Sequence, residues 1–199
     1  MTSKMTEIIE KADKIPPRQR ILTAAGELFY RHGIRSVGVD WIAEAAGTNK
    51  MTLYRHFESK DVLVAEYLRQ EARAADAEWT KLDQALPGDP LGQLRAWLKC
   101  MADHVADTKE RGCALANAAV ELPEKGHPAR CVIEEFKTRQ RSKLVRLCEA
   151  AGLSEPDMLA DELYLLLEGA RVRAQSVGPD GLGARLTRMS EALIAAHQR

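Results

Sequence analysis

The sequence predicts an all-α protein, and three observations carry that expectation. Ala (29 residues) and Leu (23) dominate the 199 residues while aromatics make up only 5%. No segment sustains the apolar/polar alternation with β-branched residues that a half-buried strand needs. Nearly every proline falls between stretches whose apolar residues recur at three-four spacing, where helices stop. With 45% hydrophobic and 29% charged residues, the composition is that of a globular chain long enough to bury a core in one or two domains. The 29 Lys+Arg balance 29 Asp+Glu. A polycationic coating protein is thereby excluded, and any nucleic-acid site must be a local patch.

The first helix opens at Ile15-Pro16-Pro17 and runs to His32, since proline suits a first turn and Ile21, Ala24, Ala25, Leu28 and Phe29 then recur at helical spacing. Gly33 stops it. A second, short helix over Val39 to Ala46 gathers Val39, Ile42, Ala43 and Ala46 on one face, and Gly47 supplies the turn that follows. Asn49 is a good N-cap for a third helix, Lys50 to Phe57. Ser59 caps a fourth, which can run unbroken from Lys60 to about Leu86, roughly 40 Å at 1.5 Å per residue. Pro87-Gly88-Asp89-Pro90 is the clearest linker. Beyond it, helices are expected over about 91–108, 113–121, 128–151, 156–177 and 181–197. The organisation expected is a helix-turn-helix domain over 15–60 and a larger helical domain over 61–199.

The polar start, Met1 to Lys14, has no apolar core of a signal peptide, and no stretch approaches 18 uncharged apolar residues. Neither secretion nor membrane spanning is expected. Cys100, Cys113, Cys131 and Cys148 lie far apart, with no CxxC and no ligand-spaced His pair, so no zinc site, metal or other cofactor is suggested and a reducing cytoplasm is the expected compartment. Cys113, after Gly112 near a helix start, reads either as a small buried hydrophobe or as an oxidant-sensing thiol.

Helices two and three have the dimensions of a helix-turn-helix, and charge sets them apart from an ordinary helical hairpin. From Lys14 to Lys60 eight Lys/Arg face four acids, so this stretch is +4 and the remainder −4. Lys50 and Lys60 each occupy the first turn of a helix, beside the positive end of its dipole, where a solvated cation costs only some tenths of a kcal/mol and an anionic partner would offset that cost. Asn49-Lys50 and Ser59-Lys60 therefore read as two clamps on a nucleic-acid backbone, with Thr52, Tyr54 and His56 nearby.

The run Arg20-Ile21-Leu22-Thr23-Ala24-Ala25, Leu28-Phe29, His32-Gly33, Val39, Ile42-Ala43, Ala46-Gly47 and Lys50-Met51-Thr52-Leu53-Tyr54-Arg55-His56-Phe57-Glu58-Ser59-Lys60-Asp61 resembles the DNA-binding domain of the TetR family of bacterial transcriptional regulators. The resemblance implies that helix three is the recognition helix. Lys50 and Met51 would then face base edges or adjacent backbone, while Thr52, Tyr54, His56 and Lys60 would contact phosphates. Asn49, Met51 and Gly38 stand where the family often has Ser, Gly and Thr.

Gly112-Cys113-Ala114-Leu115-Ala116-Asn117-Ala118-Ala119-Val120-Glu121 and Leu166-Leu167-Glu168-Gly169-Ala170 resemble one subset of the family's ligand domains, which implies only the general architecture, with the last two helices as the dimer pair. Leu159, Leu163 and Leu166, then Leu182, Leu186, Met189 and Leu193, make stripes that suit such a bundle. For an effector, Trp97, Met101, His104 and Asn117, with Glu121, Phe136, Tyr164 and Arg171, mix apolar bulk with isolated polar groups, as small-molecule sites do.

The function expected is a homodimeric repressor on palindromic double-stranded operator DNA, released by a small-molecule effector. A redox-responsive regulator acting through Cys113, and a helical small-molecule-binding protein without DNA function, stand as alternatives. An enzyme is not expected, because there is no GxGxxG, P-loop, GxSxG or HExxH and no grouping of acid, base and nucleophile.

Overall fold

The computed structural model describes residues 15–109 and 111–198. The polar leader of residues 1–14 lies outside them. Among the described residues every regular element is a helix: α1 (Pro17–His32), α2 (Val39–Ala45), α3 (Lys50–His56), α4 (Lys60–Ala85), α5 (Pro90–Ala106), α6 (Ala114–Glu121), α7 (Pro128–Ala150), α8 (Pro156–Val177) and α9 (Leu182–Ala196). The prolines at the starts of α1, α5, α7 and α8 occupy positions whose N–H would have no intrahelical partner. Asp89 caps α5, its carboxylate accepting from the Gly92 amide at 2.8 Å. Helices α2 and α3 each end one residue earlier than the sequence suggests, because Phe57 is extended at φ −137° and Ala46 serves as the C-cap of α2.

The chain forms two compact units, the described part of Met1–Gln70 with Asn117–Val132, and Glu71–Ala116 with Ile133–Arg199. In the first, α1, α2 and α3 pack on one another and bury Ile21, Ala25, Phe29, Ile42, Leu53 and Phe57. Burying the isoleucine, leucine and phenylalanine side chains contributes about 1.5–3 kcal/mol each, which is what makes three short helices hold together.

In the second unit, α9 packs on α5 and α8. Contact with α5 is close enough that a Cβ at Gly183 would sit 2.7 Å from the Ala102 carbonyl oxygen. Trp79 stacks on Trp97 at 5.2 Å between ring centroids, and its indole N–H donates to Gln140 Oε1 at 2.6 Å. Asp76 accepts from Lys143 at 2.7 Å and pairs with Arg139 at 3.1 Å.

Four residues of the dimer stripes need correction. Leu159, Leu163, Leu182 and Leu186 are buried within this one chain, in the core cluster built around Trp97 and Leu94, and Leu166 and Leu193 pack against that cluster half-buried. Their three-four spacing records the inner face of α8 and α9. The outer face of α8 carries Met158, Leu165 and Val172, seven residues apart and 57%, 71% and 65% exposed; of the seven residues expected at the interface, Met189 is the exposed one.

Candidate nucleic-acid interface and effector cavity

The turn between α2 and α3 is built by backbone bonds that end α2 cleanly. Thr48 N–H donates to the Ala43 carbonyl at 2.9 Å and Gly47 N–H to that of Glu44 at 3.0 Å, the paired bonds that close a helix through a left-handed residue. Gly47 takes φ 61° with open space around it. Backbone conformation, not crowding, therefore selects glycine here. The chain then re-enters a helix at Asn49, whose side-chain oxygen accepts from the Thr52 amide at 2.9 Å. Leu53, completely buried, anchors α3 from its inner side.

That anchoring decides what faces outward. Met51 is 68% exposed and Tyr54 43%, both large groups left in solvent on a seven-residue helix. Lys50 and His56 are exposed and Thr52 is half-buried. Lys50 reaches across to Asp40 at 3.2 Å, an open ion pair of the kind that contributes at most about 1 kcal/mol and is readily exchanged for a stronger anion.

Lys60 is held differently. Its ammonium donates to the Ile34 carbonyl at 2.6 Å and lies 5.9 Å from the centroid of the Phe29 ring. Burial lowers its pKa from the ordinary lysine value, opposed by the charges of Asp61 and Glu121. An ammonium has three donors, so the Ile34 bond leaves others for an anion.

Two residues that the sequence reading left without a role also reach this surface. Arg55 lies one turn beyond Met51, with Nη2 3.7 Å from its sulfur, and Trp41 on α2 is exposed beside His32, the ring centroids 4.8 Å apart. The signal for Arg55 was present in its i+4 relation to Met51. Trp41 was legible only as an aromatic residue on a helix already assigned to packing.

The eight effector candidates do not converge on one site. Trp97 and Phe136 are buried, Trp97 as part of the tryptophan stack. Asn117 and Glu121 belong to the first unit, where the Glu121 carboxylate accepts from the Arg35 amide at 3.0 Å. The remaining four come from the second unit. His104 and Arg171 line a cavity of about 60 Å³ together with Val105, Gly112 and Ala174. Met101 offers its sulfur to Arg171 Nη2 at 3.3 Å, and Tyr164 lies under the Lys137 ammonium, 5.5 Å from ring centroid to Nζ.

Sequence reasoning missed Lys137 and Glu168, which tie this group together. Lys137 Nζ donates to both Glu168 oxygens at 3.0 Å, and Arg171 Nη1 donates to Oε1 at 2.9 Å. Only the three-residue spacing of Glu168 and Arg171 on α8 hinted at a shared face; Lys137 comes from another helix. Cys113 is half-buried with Sγ 4.0 Å from Lys137 Nζ, and the four cysteines are free thiols. Among the described residues no group of His, Cys, Asp and Glu could hold a metal ion, and no helix is long and apolar enough to cross a membrane.

A sequence profile described as "Bacterial regulatory proteins, tetR family" matches residues 21–67. The chain is 32% identical to transcriptional regulator AcuR of Cereibacter sphaeroides over 177 residues, covering 82% of this chain and 79% of that one. It is 26% identical to the protein named "Probable acrEF/envCD operon repressor" of Escherichia coli K12, covering 80% of this chain and 74% of that one. Its fold is similar to the crystal structure of a TetR-family transcriptional regulator from Streptomyces coelicolor, with a TM-score of 0.86, 29% identity, and 92% and 96% of the two chains covered.

Proposed function

The chain belongs to the tetR family of bacterial regulatory proteins and is a DNA-binding transcriptional regulator, not an enzyme; from that premise we propose that it is a cytoplasmic repressor that grips a palindromic operator as a homodimer and releases it when a small molecule binds the second unit. The observation that carries this reading is α3, pinned from inside by Leu53 and presenting Met51 and Tyr54 to solvent. A helix held this way can enter the major groove with its first residues on base edges while its flanks contact phosphate. Lys50 and Met51 take the base-edge side, and Thr52, Tyr54, His56 and Lys60 the backbone.

Dimer formation is supported by the outer face of α8. Three large apolar side chains at seven-residue intervals, more than half exposed, form a stripe that a monomer rarely leaves in water. Pairing that stripe with its own copy gives a two-fold dimer, and a two-fold dimer reads adjacent half-sites when they lie about 34–36 Å, or a multiple of that distance, apart.

Release by a ligand requires only that the ligand prefer a dimer shape whose recognition helices miss that spacing. A hundredfold loss of operator affinity corresponds to about 2.7 kcal/mol of coupling. Linkage then demands that operator DNA weaken ligand binding by the same factor. Fluorescence anisotropy with an operator selected from random duplexes, measured over a salt series, tests the DNA reading. A steep fall of affinity with salt together with preference for a palindrome supports it, and equal binding to all duplexes would overturn the operator assignment.

A further inference from the structure

We propose that the cavity beside Arg171 binds a small carboxylate of three or four carbons, its head on the Arg171 guanidinium and its tail against Val105 and Ala174. This inference rests on the reading of the second unit as the effector-binding part and names the class of effector.

Charge is the first support. Lys137 and Arg171 share one carboxylate, that of Glu168, so two cations and one anion leave one positive charge uncompensated within the group. All three side chains are 30% exposed or less, where water screens a net charge poorly. Tyr164 does not supply the missing anion. Burial pushes its phenol well above the ordinary tyrosine value, and the Glu168 charge pushes the same way, so it stays neutral at physiological pH.

Donor chemistry is the second. Arg171 Nη1 donates to Glu168, while Nη2 points at the Met101 sulfur at 3.3 Å. A thioether is a weak acceptor. A carboxylate oxygen in its place makes a shorter, charge-assisted bond, and the planar fork of the guanidinium suits a carboxylate.

Size and lining decide the class. At about 10–15 Å³ for each water-sized group, the cavity of about 60 Å³ has room for about four to six non-hydrogen atoms. A carboxylate head takes three of these, and Val105 and Ala174 offer the remainder an apolar wall. Propionate and butyrate fit that description. Inorganic phosphate fills the volume but places oxygens against the apolar wall.

Calorimetry on the full chain tests this with sodium butyrate, the neutral isostere butyramide, and inorganic phosphate. Butyrate is expected to bind saturably at one per chain, with butyramide and phosphate at least tenfold weaker. Arg171→Gln is expected to lose butyrate affinity tenfold or more. Ala174→Leu, which fills the cavity and leaves every charge in place, should show the same loss, and it decides the matter if Arg171→Gln loses its helical circular dichroism. No butyrate binding, equal affinity for butyramide or phosphate, or undiminished affinity in the folded variants would overturn the carboxylate site. DNA binding measured without butyrate is a separate readout. Its absence would overturn the regulator reading while leaving the site intact, and butyrate binding that left operator affinity unchanged would overturn the site's role as effector site.

Discussion

Arg35 grips Glu121 with main chain and side chain together: its amide donates to Glu121 Oε2 at 3.0 Å and its Nε–H to the Glu121 carbonyl at 2.7 Å, while Nη2 pairs with Glu124 at 3.1 Å. Two residues before Arg35, Gly33 ends α1 at φ 84°, and a Cβ on it would meet Glu121 Oε2 at 3.1 Å. A residue 86 positions away in sequence thus completes the turn that follows α1.

Gly33→Ala is therefore expected to destabilise the protein on two counts, a positive-φ backbone with ψ 155° that costs about 1–3 kcal/mol for a side chain and crowding against Glu121. In a chain of this length about 1 kcal/mol corresponds to about 2–4 °C in Tm. A melting temperature unchanged by the substitution would rule out the strain. Glu121→Ala should in turn speed hydrogen exchange at the Arg35 amide, and unchanged protection there would show that the bond is not kept in solution.

For DNA, Tyr54→Phe is expected to weaken binding to all duplexes alike, because a phosphate contact positions the protein without reading bases. Lys60→Ala should lower the slope of log affinity against log salt by about one. It should also lower Tm, since the Ile34 carbonyl loses its donor. An unchanged salt slope with a lowered Tm would make Lys60 a positioning residue for the turn after α1 rather than a phosphate contact.

On α8, Leu163 and Leu165 are two residues apart and have opposite fates, one fully buried and the other 71% exposed. Leu165→Glu should give a folded monomer by sedimentation. Leu163→Glu should fail to fold, because an unpaired buried charge costs several kcal/mol. A folded dimer of the Leu165 variant at micromolar concentration would move the partner surface elsewhere.

Acid should destabilise the second unit through Asp76. Burial raises its carboxyl pKa, but the hydrogen bonds and charges of Lys143 and Arg139 outweigh it and hold the group below the ordinary aspartate value. The folded pKa is thus depressed. Its contribution is present above the unfolded value of about 3.9 and is lost as pH falls through the folded value. Asp76→Asn should lower Tm at pH 7 and make its decline below pH 4 shallower. Parallel curves for the two proteins would eliminate this ion pair as a source of acid sensitivity.

What the sequence by itself determined is what depends on neighbours three or four residues apart. The Asn49 cap, the left-handed turn at Gly47, the Ser59 hydroxyl accepting from the Val62 amide at 3.1 Å and the prolines at helix starts are all of that kind, and with them came the helix-turn-helix and its exposed residues. Tertiary structure alone decided the rest. On α8, Leu163, Leu165, Leu166 and Leu167 put apolar groups around much of the helix. Spacing reveals such a stripe but not which side the chain's own core will cover. The grouping of Lys137 with Glu168 and Arg171, and of Arg35 with Glu121, likewise joins charges 31 and 86 residues apart. Charged residues of either sign are abundant along the chain, and only packing selects which of them meet, because each pair must be held within hydrogen-bond reach by helices whose mutual placement no local pattern encodes.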